Sequence, residues 1–175
     1  MCDYLNQRVV IYNDQEQVRG ELLLTSAGKL VPSYNTSKFN SVEIEDEFRF
    51  SPMNIAVSGA FVYVTDDWSG SNCIRVFDKL SGRLVRNIGD LQAWNPSGLF
   101  IDEKDNVFTL ARLYYETGVP YLFCFSKSGE LLYKTNLNIS DNDLVNNFLI
   151  DKYTDKTSYR IVACGDSKLH FINFE

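Results

Sequence analysis

The stretch Ser51-Pro52-Met53-Asn54-Ile55-Ala56-Val57 returns forty-four residues later as Asn95-Pro96-Ser97-Gly98-Leu99-Phe100-Ile101, and this recurrence marks the chain as a repeat. Working outward, Phe61-Val62-Tyr63-Val64-Thr65 is answered by Asn106-Val107-Phe108-Thr109-Leu110. Ile74-Arg75-Val76-Phe77-Asp78 comes back as Leu122-Phe123-Cys124-Phe125-Ser126, and again as Leu169-His170-Phe171-Ile172-Asn173. Ser81-Gly82-Arg83-Leu84-Val85-Arg86 reappears as Ser128-Gly129-Glu130-Leu131-Leu132-Tyr133. Four features recurring in one order are the signature of an internal repeat.

Each unit contains short runs rich in Val, Ile, Phe and Tyr, broken by Gly, Asp, Asn and Ser, which is the pattern of strands joined by turns. The runs predict strands A to D at 53–57, 61–65, 74–78 and 83–87, then at 97–101, 106–111, 121–126 and 130–135. A third unit has A at 147–151, B at 159–164 and C at 168–174, without a D. A four-stranded repeat of about 45 residues is the length of one β-propeller blade. The expected fold is therefore all-β, a propeller of antiparallel four-stranded blades. Its divisions are a partial blade and connection over 1–49, blades over 50–94 and 95–145, and an incomplete blade over 146–175.

Pro52 with Ile55-Ala56-Val57, then Val62-Tyr63-Val64-Thr65-Asp66, then Ile74-Arg75-Val76-Phe77-Asp78 and Gly82 together resemble one NHL repeat. The pattern of that repeat is roughly P-x-G-I-A-V, I-Y-V-A-D, R-I-x-V-F-D, G. The second unit is similar but departs at Ala111, where an aspartate is expected, and at Ser126, which replaces the final Asp. The resemblance implies a propeller of about six blades, within the usual four to eight, whereas this sequence supplies three to four. The expectation is a C-terminal fragment of a six-bladed NHL-like propeller, with a small closed ring or self-association as alternatives. In residues 1–49, Val9-Val10-Ile11-Tyr12-Asn13 and Gly20-Glu21-Leu22-Leu23-Leu24 read as strands C and D of a preceding blade, because Gly20-Glu21-Leu22-Leu23 mirrors Gly129-Glu130-Leu131-Leu132.

The chemistry that the residues exclude is extensive. The 175 residues contain one histidine, His170, which removes His-rich metal sites and most zinc hydrolases. No G-x-S-x-G elbow and no phosphate loop is present. A lactone hydrolase of the six-bladed type would need a carboxylate and amide cage, for which Asp66, Asp102, Asp151 and Asn54 are the available donors. Strand-end and turn capping is the simpler reading of these residues, and of Asp78. No cofactor, no metal and no catalytic residue is expected. Cys2, Cys73, Cys124 and Cys164 match neither a metal knuckle nor a disulfide framework, so reduced thiols in a cytoplasmic protein are expected. No run of about 18 apolar residues is present and the first residues do not form a signal peptide, so the chain reads as soluble, without a membrane partner.

Binding remains. In an antiparallel blade the B to C and D to A connections leave from one end. That end is expected to carry Trp68, Trp94, Arg112, Tyr114 and Tyr115, including both tryptophans of the chain. Tryptophan, tyrosine and arginine dominate interface hot spots. Around them stand Asp66, Asp67, Asp90, Glu116, Asp141, Asp143 and Asp166 against Arg112 and Lys168, and the whole chain has a net charge of −6. Such a face suits a basic or polar polypeptide better than RNA, whose binding rests on Lys and Arg neutralising phosphates. The expected function is a non-enzymatic module that recognises a partner protein. By resemblance to the tripartite-motif NHL proteins, this implies substrate recognition for ubiquitin ligation or RNA binding, with lactone hydrolysis as a further alternative.

Overall fold

The computed structural model describes residues 2–3, 8–12, 15, 18–24, 30–33, 51–67, 72–89, 91, 94–113, 120–139, 145, 147–152, 159–165 and 168–174. Among these there is no helix, and all regular structure is antiparallel sheet. The chain divides into two compact units, residues 1–92 and 93–175.

The first unit holds two sheets. One consists of β1 (Cys2–Asp3), β2 (Arg8–Tyr12), β3 (Val18–Leu24) and β4 (Leu30–Ser33) in that order. The other consists of β5 (Pro52–Ser58), β6 (Phe61–Asp66), β7 (Cys73–Asp78) and β8 (Leu84–Ile88). In the second unit a sheet of β9 (Trp94–Ile101), β10 (Val107–Leu113), β11 (Tyr121–Phe125) and β12 (Leu131–Asn136) is followed by one of β13 (Asn147–Lys152), β14 (Tyr159–Cys164) and β15 (Leu169–Phe174). Every sheet is a simple meander, the strand order of a propeller blade. The first strands of neighbouring sheets lie against each other, β1 with β5 and β9 with β13.

The N-terminal sheet corrects one expectation. Val9 to Tyr12 and Gly20 to Leu24 lie in the two middle strands, and β4 lies outside β3, so they are not the two outer strands of a blade. The likeness of these segments to the later ones has a physical source. The β2–β3 hairpin shifts register between Ile11 and Tyr12, as β7–β8 does between Val76 and Phe77 and β11–β12 does between Cys124 and Phe125. Three hairpins with one geometry produce similar strings, and only the strand added at Leu30–Ser33 tells them apart.

The turns at the A to B and C to D end are closed by their own side chains. Asp78 Oδ1 accepts the Ser81 backbone N–H at 2.7 Å and the Ser81 hydroxyl at 2.7 Å, while the Asp78 carbonyl accepts the Gly82 N–H at 2.8 Å. Gly82 has φ +67°, where a side chain would be strained. Those Ser81 donors hold the Asp78 carboxyl below its ordinary range. Its contribution to the turn is complete above the ordinary aspartate range and fades as pH falls through the lowered value. In the β9–β12 sheet Ser126 takes the same place: its Oγ accepts the Glu130 N–H at 3.1 Å and its carbonyl accepts the Gly129 N–H at 2.9 Å.

The middle strands β6, β7 and β11 are buried on both faces, whereas β12 is largely exposed. In the first unit Val62, Val64 and Phe77 pack on Val9, with Cys2, Ile55 and Leu84 at the margin. In the second unit Phe108, Leu110, Leu122 and Cys124 pack with Phe148, Ile161 and Ala163, closed by Leu137, Ile139 and Val145. None of the four cysteines is in a disulfide. Cys73 and Cys124 are buried and Cys164 is exposed; burial pushes the Cys124 and Cys2 thiols up to about 11. Only thiolate reacts with an alkylating agent, so Cys164 is expected to label at least about tenfold faster than the other three at pH 8. Mass mapping after timed iodoacetamide treatment checks this; early labelling of Cys124 would show that the second core opens readily.

Candidate functional site

The end of each sheet where β6 meets β7 and β10 meets β11 is built on a repeated irregularity. The β5–β6 ladder shifts register between Pro52 and Ile55, and the β9–β10 ladder shifts at the equivalent place, between Thr109 and Ala111. Thr65 Oγ1 accepts the Asn54 N–H at 2.8 Å in the first case, and the Thr109 hydroxyl donates to the Gly98 carbonyl at 2.7 Å in the second. A bulge bends and twists a strand pair and can let it run on past the irregularity.

That continuation corrects the placement of two candidate residues. Trp94 and Arg112 were expected in loops, but both are strand residues. Beyond the bulge the β9–β10 ladder adds three pairs, Ala111 with Pro96, Arg112 with Asn95 and Leu113 with Trp94. The structure thus brings Trp94 and Arg112 to the same end of one ladder, with Arg112 half-buried. Trp68, Tyr114 and Tyr115 lie outside the described residues.

The charge assigned to this end also changes. Asp66 is fully buried: Oδ1 accepts the Ser51 N–H at 2.8 Å and Oδ2 accepts the Arg75 Nε–H at 2.6 Å. It ties the ends of β5 and β6 to β7 and contributes no open negative charge. Asp67 is half-buried and Lys168 exposed, while Asp90, Glu116, Asp141, Asp143 and Asp166 lie outside the described residues.

The three carboxylates among the four metal-cage donors serve other partners. Asp102 Oδ1 accepts the Lys104 and Asn106 backbone N–H groups, each at 2.8 Å, and Oδ2 accepts the Asn106 side-chain amide at 2.9 Å. Asp151 is ion-paired with Arg160, and the Asn54 backbone is engaged with Thr65. Within their sheets Asp66 ends β6 whereas Asp102 follows β9, so the two carboxylates belong to opposite ends of the meander.

Sequence reasoning missed the Asp66–Arg75 pair. The available signal was the repeat itself, because Ala111 and Phe123 occupy the two equivalent positions and both charges disappear together.

No family model matches this chain, and no curated protein does. Among solved structures the chain is similar to a protein of unknown function from Bacteroides caccae, at 13% identity and a TM-score of 0.51, covering 97% of this chain and 54% of that one. It is also similar to BBS1N in its complex with ARL6DN, soaked with lead, at 15% identity and a TM-score of 0.49, covering 95% of this chain and 53% of that one. The chain therefore spans about half the length of either neighbour, and its likeness to the Bacteroides protein is one of fold.

Proposed function

We propose that the sheets are blades of an NHL-like propeller and that the chain is a non-enzymatic, cytoplasmic module that recognises a partner protein through the end bearing Trp68, Trp94, Arg112, Tyr114 and Tyr115. The carrying observation is the asymmetry between the two ends. At the opposite end the turns around Asp78, Asp102 and Ser126 are short and use their polar groups on their own backbone. The other end is where β6 connects to β7 and β10 to β11, and there Trp94 and Arg112 stand on a paired ladder that holds them in fixed register. A partner with a basic or polar segment fits the acidic balance of the chain; selection of substrates for ubiquitin ligation is the role that the NHL resemblance suggests. RNA is the less favoured ligand on the same charge argument.

Truncating an aromatic anchor typically costs about 2 kcal/mol or more of binding, whereas exposed side chains elsewhere cost little. Alanine at Trp68, Trp94, Arg112, Tyr114 and Tyr115 is therefore expected to abolish capture of the protein partner in a pull-down. Lys79→Ala with Lys127→Ala, at the opposite end, should leave capture intact; the Lys127–Asp105 ion pair is exposed and worth little. Equal loss from both sets would sink the proposed face. Capture of RNA in place of protein, weakening steeply with salt, would transfer the same residues to the RNA reading.

A further inference from the structure

The sheets stack in one sense. In the first unit Val62, Val64 and Phe77 of β5–β8 cover Val9 of β1–β4. In the second, Phe148, Ile161 and Ala163 of β13–β15, with Ile150 and Ile172 beside them, cover Phe108, Leu110, Leu122 and Cys124 of β9–β12. Phe77 and Ile172 are repeat counterparts, so the same face of the later sheet does the covering in both units. Leu122 and Cys124 mark the face that is covered. Their counterparts in β7, Ile74 and Val76, are fully buried.

In β15 the counterparts are Leu169 and Phe171, and these are 55% and 62% exposed. The register extends the patch across the sheet: Leu149 is opposite Val162, which is opposite Phe171, and Asn147 is opposite Cys164, which is opposite Leu169. Residues directly opposite each other share a face, and Leu149 is 50% exposed. An open apolar face therefore stands where, elsewhere in this molecule, a repeat sheet is seated.

We propose that a second copy of this chain covers this face with one of its own repeat sheets. Three observations point to that occupant. Leu122 and Cys124 show that the equivalent face accepts a sheet of this repeat. The charged residues on the open face neutralise each other, because Asp151 is paired with Arg160, whose guanidinium lies over the Phe171 ring at 5.8 Å, so no net charge is offered to a basic peptide or a nucleic acid. Finally, the chain covers 54% of its Bacteroides neighbour, so two copies together match the length of that single longer chain. The inference rests on sheet packing and is independent of the loop-end reading above.

Sedimentation of the 175-residue chain over a broad concentration range is the test. Self-association is expected, and Leu149→Glu with Phe171→Glu should raise its dissociation constant by about a hundredfold or more, since two apolar anchors are replaced by charges. Leu80→Glu, at an exposed turn, should leave it unchanged. Circular dichroism establishes that the double variant is folded. If it is not, the wild type alone decides through Cys164, which lies on the same face: its alkylation rate should fall as protein concentration rises. A monomer at every concentration, with a constant Cys164 rate, overturns the proposal. So does self-association that a folded Leu149→Glu, Phe171→Glu variant leaves unaltered.

Discussion

Asp66→Ala is expected to destabilise the first unit by about 3–5 kcal/mol, the range seen when one member of a buried ion pair is removed. The substitution leaves the Arg75 guanidinium without its carboxylate in a site where Arg75 is 8% exposed, and it strips the Ser51 N–H of its acceptor. The repeat also supplies the compensating change. At the equivalent positions of the second unit stand Ala111 and Phe123, both buried and both apolar. Asp66→Ala combined with Arg75→Phe should therefore recover most of the loss and end within about 2 kcal/mol of the wild type, because replacing both partners of a buried pair by apolar groups is often nearly neutral. The first unit contains one tryptophan, Trp68, so urea unfolding followed by fluorescence in a Trp94→Phe background reports on it alone. A cost below about 1 kcal/mol for the single change, as for a solvated surface pair, would show that water reaches Asp66.

The strands were legible because their information is local. The apolar runs Phe61 to Thr65 and Cys73 to Phe77, bounded by Gly59 and by Ser81-Gly82, mark a pair of strands without any knowledge of the rest of the chain. What was not legible depended on register. Asp66 pairs with Cys73 in the ladder, and its ionic partner Arg75 lies two residues further along β7, a diagonal neighbour visible only once β6 and β7 are aligned. Trp94 and Arg112 lie past the one-residue shift between Thr109 and Ala111, where the backbone pairing resumes and carries both strands beyond the ends that the repeated runs mark. Gly20-Glu21-Leu22-Leu23 misled for the opposite reason: the string encodes a hairpin exit faithfully but not the position of that hairpin within its sheet.

The same distinction separates the two surfaces proposed for binding. The loop end is proposed from the sequence, since the order of strands alone decides which connections leave a blade at the same end. The open face of β13–β15 is not, because Leu169 and Phe171 carry the same apolar pattern as Ile74 and Val76; only their exposure differs, and exposure depends on what is seated above them.

Gly98 and Phe148 are where the stacking of sheets is most sensitive to one atom. A Cβ on Gly98 would lie 2.4 Å from Cδ1 and 2.8 Å from Cε1 of the Phe148 ring, so the ring of β13 sits directly against the backbone of β9. Glycine within a strand is otherwise unfavourable, and its presence here is explained by this close approach. Phe148 is 6% exposed in the core of the second unit and cannot swing into solvent without leaving that core. Gly98→Ala should cost about 1–3 kcal/mol through overpacking, and Phe148→Ala about 3–5 kcal/mol through the cavity it leaves. The double variant should cost no more than Phe148→Ala alone, because the added methyl occupies space that the ring has vacated, giving a coupling of the size expected for side chains in contact. Fluorescence of Trp94 in a Trp68→Phe background follows the second unit. Strict additivity would show that the ring avoids the new methyl without displacing β9. If instead the ring pushes β9, the displacement reaches Trp94 at the start of the same strand, so Gly98→Ala should weaken partner capture as well as stability, although Gly98 itself touches no partner.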